Sequence, residues 1–267
     1  MNYSLIDTHC HLDIIEKEGL PISETLSLSR EKGVREILQI GIDYESSLRA
    51  QKISEISDDM KIHFTAGSHP ADEISSEEND NIENFIRENI SNPKFTGIGE
   101  IGLDYYHRVD SSREQEEVFR RFLSLSEELK CPVIIHSRSA KEETYNILKE
   151  YKNKAFGVLH CYTYDLEYAL KFIELGYYIS FSGIVVFKNA KELQETASSI
   201  PLSNILIETD APFLSPPPNR GKRNDPTNLP YILEKIFELR NEKRHLIEES
   251  IFTNSQNFIN RKAPNYA

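Results

Sequence analysis

Cysteine is scarce in this chain: Cys10, Cys131 and Cys161 are the only three in 267 residues, and no two stand in a C-x-x-C pair. An odd number of widely spaced thiols argues against a disulfide framework and for a reduced, cytoplasmic protein. No apolar run approaches the roughly 20 residues that a membrane helix needs. The start, Met1-Asn2-Tyr3-Ser4-Leu5, lacks the basic segment and apolar core of a signal peptide. With 11 Gly and 12 Pro there is no case for collagen or disorder. Linkers, low-complexity tracts and internal repeats are missing too, so a single domain is expected over 1–267. Positive charge is in deficit: 31 Lys and Arg against 43 Asp and Glu leave a formal net charge of −12. That argues against a broad basic surface for gripping long nucleic acid. It leaves room for phosphate chemistry in a pocket where divalent cations and a few arginines reverse the local sign. Neither a membrane nor an obligate protein partner is expected.

What is present is alternation. Short β-branched runs are followed by longer segments with helical spacing of apolar residues. The runs predict strands at Ser4–Thr8, Glu36–Ile40, Ile62–Gly67, Thr96–Gly102, Val133–His136, Gly157–His160, Tyr178–Ser182 and Ile205–Glu208. Helices are predicted at Ile22–Lys32, Tyr44–Ser57, Asp80–Asn89, Arg113–Lys130, Lys141–Tyr151, Leu166–Leu175 and Lys188–Ser198, with Leu229–Arg240 and Glu242–Phe258 closing the chain. Eight strand and helix pairs with right-handed crossovers predict an α/β fold, a single-domain TIM (β/α)8 barrel with an extra C-terminal helix. An open doubly wound sheet is the rival. The barrel places functional residues at the C-terminal ends of strands.

Those ends carry chemistry. In Ile6-Asp7-Thr8-His9-Cys10-His11-Leu12-Asp13, residues i and i+2 of a strand share a face, so His9 and His11 aim at one spot. Cys10 and Cys161, each beside a histidine, should point into the packing layer behind. Further strand ends bear Ser68-His69-Pro70, Gly99-Glu100-Ile101-Gly102-Leu103-Asp104, His136-Ser137-Arg138, His160-Cys161-Tyr162 and Glu208-Thr209-Asp210. Single strand-end histidines often only satisfy a carbonyl, but His9, His11, Glu100, His136, His160 and Asp210 together point to metal. His107 lies furthest past its strand; His63 and His245 read as structural.

Five or six ligands are too many for one tetrahedral ion with an open position, but suit two ions sharing a carboxylate. Glu100, between Gly99 and Gly102, is the expected bridge. His9, His11 and Asp210 would complete one site, His136 and His160 the other. Asp210 is the expected general base, and Asp210 with Glu100 the catalytic pair. The donor set accepts two divalent ions among Zn, Mg, Mn, Fe or Ni without choosing.

In order and across essentially the whole chain, DTHCHLD, GSHP, GEIGLDYY, HSR, HCY, ETDAP and Asn257 resemble the TatD family of metal-dependent deoxyribonucleases, within the amidohydrolase-like metal-dependent hydrolases. The resemblance implies a TIM barrel, a divalent-metal centre with His9, His11, Glu100, His136, His160 and Asp210 as ligands, and hydrolysis of DNA phosphodiesters at short or single-stranded ends, often from the 3′ end. Asp225 stands where a Glu before the Pro is more usual in that family. His69 and Arg138 are expected phosphate contacts. Tyr105, Tyr106 and Tyr162 would stack on a base or line the pocket. Arg220, Lys222 and Arg223 form a basic loop suited either to phosphates or to solvent. Asp104 and Glu208 are expected to orient ligands or Arg138. The same centre would also serve amide or ester hydrolysis, such as deacylation of aminoacyl-tRNA.

Overall fold

The computed structural model describes residues 4–56 and 59–264. Eight strands, β1 (Leu5–Cys10), β2 (Val34–Gln39), β3 (Lys61–Ala66), β4 (Phe95–Asp104), β5 (Val133–Arg138), β6 (Gly157–Leu159), β7 (Tyr177–Phe181) and β8 (Ile205–Ile207), pair in sequence order, every pairing parallel. The ring is drawn together between β1 and β8 by a parallel bridge from Cys10 to Ala211 and by bonds from His11 N to Ala211 O (2.8 Å) and from Asp210 N to His9 O (3.0 Å). The barrel is the architecture, and the open sheet is excluded.

Ten helices occur among the described residues: α1 (Leu12–Lys17), α2 (Ile22–Glu31), α3 (Tyr44–Ser54), α4 (Ser76–Asn89), α5 (Ser112–Leu129), α6 (Lys141–Glu150), α7 (Leu166–Glu174), α8 (Lys191–Ser199), α9 (Leu229–Leu239) and α10 (Arg244–Ile259). Helix α1 lies in a stretch read only as part of a motif. It has six residues, too short for a periodic signal. Helix α4 begins four residues earlier than Asp80, because the Ser75 hydroxyl accepts the Glu78 amide (3.1 Å) and Glu77 and Glu78 occupy the first turn. The expected end of the second predicted helix, Ser57, lies outside the described residues.

Inside the ring, Leu38, Ile134, Val158, Tyr178 and Leu206 pack with Phe258 of α10 into a buried apolar plug. Helix α10 is the extra one, and it covers the N-terminal end of the barrel. Asn254 donates to Leu202 O and Ile205 O (2.9 Å each) ahead of β8, and Gln256 donates to Glu36 of β2 (2.6 Å). Beyond the helix, Arg261 donates to carbonyls of Ile90, Asn92 and Phe95. With that end filled and bolted, the open mouth lies at the C-terminal ends of the strands.

Candidate metal centre

Glu100 projects from β4 into the mouth and is 3% exposed, yet it sits in a ring of imidazoles. Its Oε2 lies 3.3 Å from His9 Nε2, while its Oε1 lies 2.8 Å from His160 Nε2, 3.0 Å from His136 Nδ1 and 3.3 Å from His69 Nε2. The two oxygens therefore address different histidine groups. His11 Nε2 is 3.3 Å from His9 Nε2, and Asp210 Oδ1 is 3.6 Å from His9 Nε2 and 3.8 Å from His11 Nε2. Among the described residues, three sets of donor atoms lie close enough to share an ion: His9, His11 and Glu100; His9, His160 and Glu208; His69, Glu100 and His136.

The approach of Glu100 depends on a neighbour with no side chain. A Cβ on Gly67 would come within 2.3 Å of Gly99 C and 2.4 Å of Glu100 N, so only glycine lets β3 lie this close. Gly102 holds φ at +140°, and a Cβ there would lie 2.0 Å from His136 O. Both positions set where Glu100 and His136 meet.

Electrostatics separate the members of the cluster. Burial pushes the His11 imidazole down to about 3, helped by His9, so it stays neutral with a lone pair to give. Burial alone would raise the Glu100 carboxyl, but His160 and His69 beside it and bonds from His136 and His160 hold it well below the usual range. For His160 burial works downward and is outweighed by Glu100 and Glu208, so this imidazole holds a proton well above its ordinary range. Burial, against the pull of His9 and His160, lifts Asp210 to about 6.

The residues fit a cation. His9 Nε2 faces His11 Nε2, a Glu100 oxygen and an Asp210 oxygen, three acceptor-type atoms that one N–H cannot serve. His9 Nδ1 and Glu208 Oε2 are buried without a hydrogen-bond partner. Supporting bonds fix several ligand candidates. His136 Nε2 meets Asp104 Oδ2 at 2.9 Å, and that same oxygen lies 2.9 Å from His107 Nδ1. Glu208 Oε1 is 3.3 Å from His160 Nδ1 and accepts the Cys161 amide at 2.6 Å.

Several expectations change in detail. Strand β1 stops at Cys10, and His11 occupies the cap of α1, yet the two imidazoles still converge. Cys10 is buried behind the site as expected, but Cys161 lines the cavity, its Sγ 3.2 Å from Ser182 Oγ. Its φ of +43° breaks strand alternation. The same turn buries Tyr162 to 3% exposure with its hydroxyl donating to Asp165 O (2.6 Å), so it is no substrate contact. Tyr105 spends its hydroxyl on Glu116. Of the three tyrosines Tyr106 is the most exposed, at 64%, its ring 4.1 Å from the Arg138 guanidinium. His69 lies on Glu100 rather than out on the rim. Arg220 stacks on Phe187 (4.8 Å) and Arg223 donates to Glu18 O (3.1 Å), so these two cations brace the loop itself. Asp104 and Glu208 lie against His136 and His160; Asp104 pairs with Arg138 across β4 and β5 through the backbone register, not through its carboxylate. His63 pairs with Glu36 (2.9 Å) far from the mouth, and His245 is exposed on α10.

Two residues escaped the sequence reading. Asp7, fully buried, accepts Thr209 N (2.9 Å) and Thr209 Oγ1 (2.6 Å) and so ties the strand of His9 to the turn of Asp210. An aspartate inside an apolar strand was its signal. Phe213, 49% exposed beside His11, carried none, because a lone aromatic in a loop has no pattern.

Comparison with known proteins agrees with this geometry. The Bacillus subtilis protein named uncharacterized metal-dependent hydrolase YabD is 39% identical over 237 residues, covering 88% of this chain and 91% of its own. The Escherichia coli K12 protein named uncharacterized metal-dependent hydrolase YcfH is 34% identical over 257 residues, 95% of this chain and 94% of its own. Among solved structures, YJJV, a TatD homolog from Escherichia coli K12, superposes with a TM-score of 0.88 at 25% identity, covering 97% of this chain and 98% of that one. A TatD family hydrolase from Entamoeba histolytica shares the fold at a TM-score of 0.82 and 21% identity, covering 97% and 98%. The family model described as TatD related DNase matches residues 6–260, and the chain belongs to that family.

Proposed function

We propose that this protein is a metal-dependent hydrolase that cleaves DNA phosphodiesters at short or single-stranded ends, releasing nucleotides from the 3′ end. The observation that carries the reading is the buried Glu100 carboxylate, one oxygen toward His9 and the other toward His69, His136 and His160. Two divalent ions suit that arrangement, one held by His9, His11 and Asp210, the other by His136 and His160, with Glu100 between them. His69 addresses the same Glu100 oxygen as His136 and His160, and is a further candidate ligand. Bound there, such ions supply Lewis acidity toward a phosphoryl oxygen and ease the deprotonation of water. The names of the relatives support metal dependence, and the family description supports DNA. A cytoplasmic location belongs to the same reading and is supported by three free thiols.

The chain's own groups supply the rest. Asp210, at the rim of the His9 and His11 pair, accepts the proton of the attacking water. Asp104 holds the His136 ring in place through its second nitrogen, and Glu208 lies beside the second nitrogen of His160. Arg138, at the end of β5 and lining the cavity, binds a non-bridging phosphate oxygen, with Tyr106 beneath its guanidinium. The buried position of Glu100 keeps water from competing for its oxygens.

The test is release of nucleotides from a labelled single-stranded oligonucleotide in Mg²⁺ or Mn²⁺, beside an aminoacyl-tRNA. Glu100→Gln and Asp210→Asn should each lose at least about 100-fold in rate while keeping the wild-type circular dichroism spectrum. Full activity in either variant overturns the roles. Amino-acid release without nucleotide release assigns the centre to carbonyl hydrolysis instead.

A further inference from the structure

The cavity over Glu100 encloses about 560 Å³, and one side of it is apolar, built from Ile14, Ile184, Phe213 and Leu214. The hydrolytic chemistry proposed above uses none of these four. Phe213 is conspicuous because a large aromatic ring stands 49% exposed next to a cluster of buried charge. Exposed apolar surface at the edge of a polar pocket marks the place where a ligand's own apolar part is received.

Phe213 is held rigidly. Its amide donates to Asp210 O (2.9 Å), and its carbonyl accepts Asn224 Nδ2 (2.6 Å), which also donates to Thr209 O (2.8 Å). The ring meets His11 edge to face, with centroids 6.0 Å apart and planes at 71°. One edge is thus fixed against a candidate metal ligand and the remaining surface faces outward. The turn that places Asp210 also places this ring.

The opposite rim differs. In a ring of eight strands in sequence order, β4 and β8 lie across the mouth from each other. The β4 and β5 side offers Arg138 stacked with Tyr106, a cation for phosphate, while the β8 side offers the exposed Phe213 ring beside Leu214. A substrate that spans the mouth must therefore be anionic at one end and flat and apolar at the other.

From this division, resting on the phosphodiesterase reading above, we propose that Phe213 is a stacking platform for the nucleobase next to the scissile phosphodiester. Every base has a π-face, so the platform selects for an unpaired base rather than for sequence. A base inside a duplex has both faces occupied and cannot reach the ring, which makes single-stranded ends the substrate class. Ile14 and Leu214 extend the apolar contact around the base edge.

The metal-loaded enzyme tests this with three single-stranded oligonucleotides of one length: all bases present, terminal nucleotide abasic, penultimate nucleotide abasic. A hydrolysis-resistant terminal linkage and a 2-aminopurine reporter give binding, and the ordinary linkage gives kcat/KM. In wild type, affinity for the base-bearing strand should exceed that for one abasic strand by about 5- to 100-fold, the span seen when a base loses an aromatic partner. Phe213→Ala should bring that ratio close to one and abolish 2-aminopurine quenching; Phe213→Tyr should preserve both. A ratio unchanged in Phe213→Ala, or an equal loss of affinity for every strand, overturns the platform. Quenching and a base-dependent ratio without any nucleotide release would leave the platform standing and overturn the phosphodiesterase reading.

Discussion

Replacing Asp7 should show how the barrel is closed behind its metal centre. The seam between β1 and β8 has few backbone bonds, and side chains reinforce it: Thr8 Oγ1 donates to Ile207 O (3.0 Å), and Asp7 accepts Thr209 N at 2.9 Å, Thr209 Oγ1 at 2.6 Å and, more weakly, His9 N at 3.3 Å. Asp7→Ala leaves two well-made donors of Thr209 buried without an acceptor, at about 1–3 kcal/mol each, so a loss of about 2–6 kcal/mol is expected near pH 4. Asp7→Asn keeps a carbonyl for the two amides and an N–H for the hydroxyl, and should lose about 1 kcal/mol or less there. The variants must also differ with pH. Burial pushes the Asp7 carboxyl from 3.8 up to about 7, against the bonds from Thr209 and His9. A carboxyl whose folded value is raised contributes most below its unfolded value and progressively less as pH climbs to the folded value. Wild type should therefore lose ground to Asp7→Asn between about pH 4 and pH 7, by up to about 4 kcal/mol at 1.36 kcal/mol per pH unit. Urea unfolding followed by circular dichroism across that range, in chelator, measures both effects. Equal loss in the two variants, or a stability difference between wild type and Asp7→Asn that stays flat with pH, refutes the account.

Gly67→Ala forces a methyl into the Gly99 and Glu100 backbone, so divalent-metal affinity by calorimetry should fall at least about 10-fold even though the methyl meets backbone atoms rather than a donor atom; unchanged affinity would mean that β3 gives way freely. Because Glu100 and Glu208 outweigh burial and keep His160 protonated, a cation must displace that proton, and metal affinity should climb about 10-fold per pH unit between pH 6 and 8 with proton release. Calorimetry in two buffers of different ionisation enthalpy checks this, and a flat profile contradicts it. At the closed end, burial would raise Glu36, but His63, Gln256 and Lys61 outweigh it and hold the carboxyl low. A lowered carboxyl contributes above about pH 4.5 and is lost as pH falls through its folded value, so Glu36→Gln should flatten the acid limb of the unfolding curve.

The sequence revealed the strand ends well because each is a local pattern. A β-branched run followed by His, Glu or Asp can be read within ten residues, and the barrel's geometry then gathers those ends without further information. His9 and His11 illustrate the tolerance of that logic: the second histidine has left the strand and caps α1, and the imidazoles still meet at 3.3 Å. What stayed hidden are consequences of backbone turns. At Cys161 one positive φ reverses the alternation, turns toward the cavity a thiol expected behind it and buries a tyrosine expected to touch substrate. Nothing in His-Cys-Tyr spells that turn, since cysteine has no preference for it.

His69 makes the complementary point about long-range contact. From the sequence it was a rim residue suited to phosphate, because its distance from Glu100 depends on how closely β3 can approach β4. That closeness is written two residues away, at Gly67, where a single hydrogen in place of a methyl admits the Glu100 backbone. With the strands so near, the imidazole lies on Glu100, its Nε2 3.3 Å from a buried carboxylate oxygen. A histidine held against an anion inside a ring of other donors competes for a cation before it competes for a phosphate. In the proposed function the substrate's charge is then left to Arg138, and the division of the mouth into a cationic rim at β5 and an aromatic rim at Phe213 traces back to a glycine just past the end of β3, a strand that pairs with neither β5 nor β8.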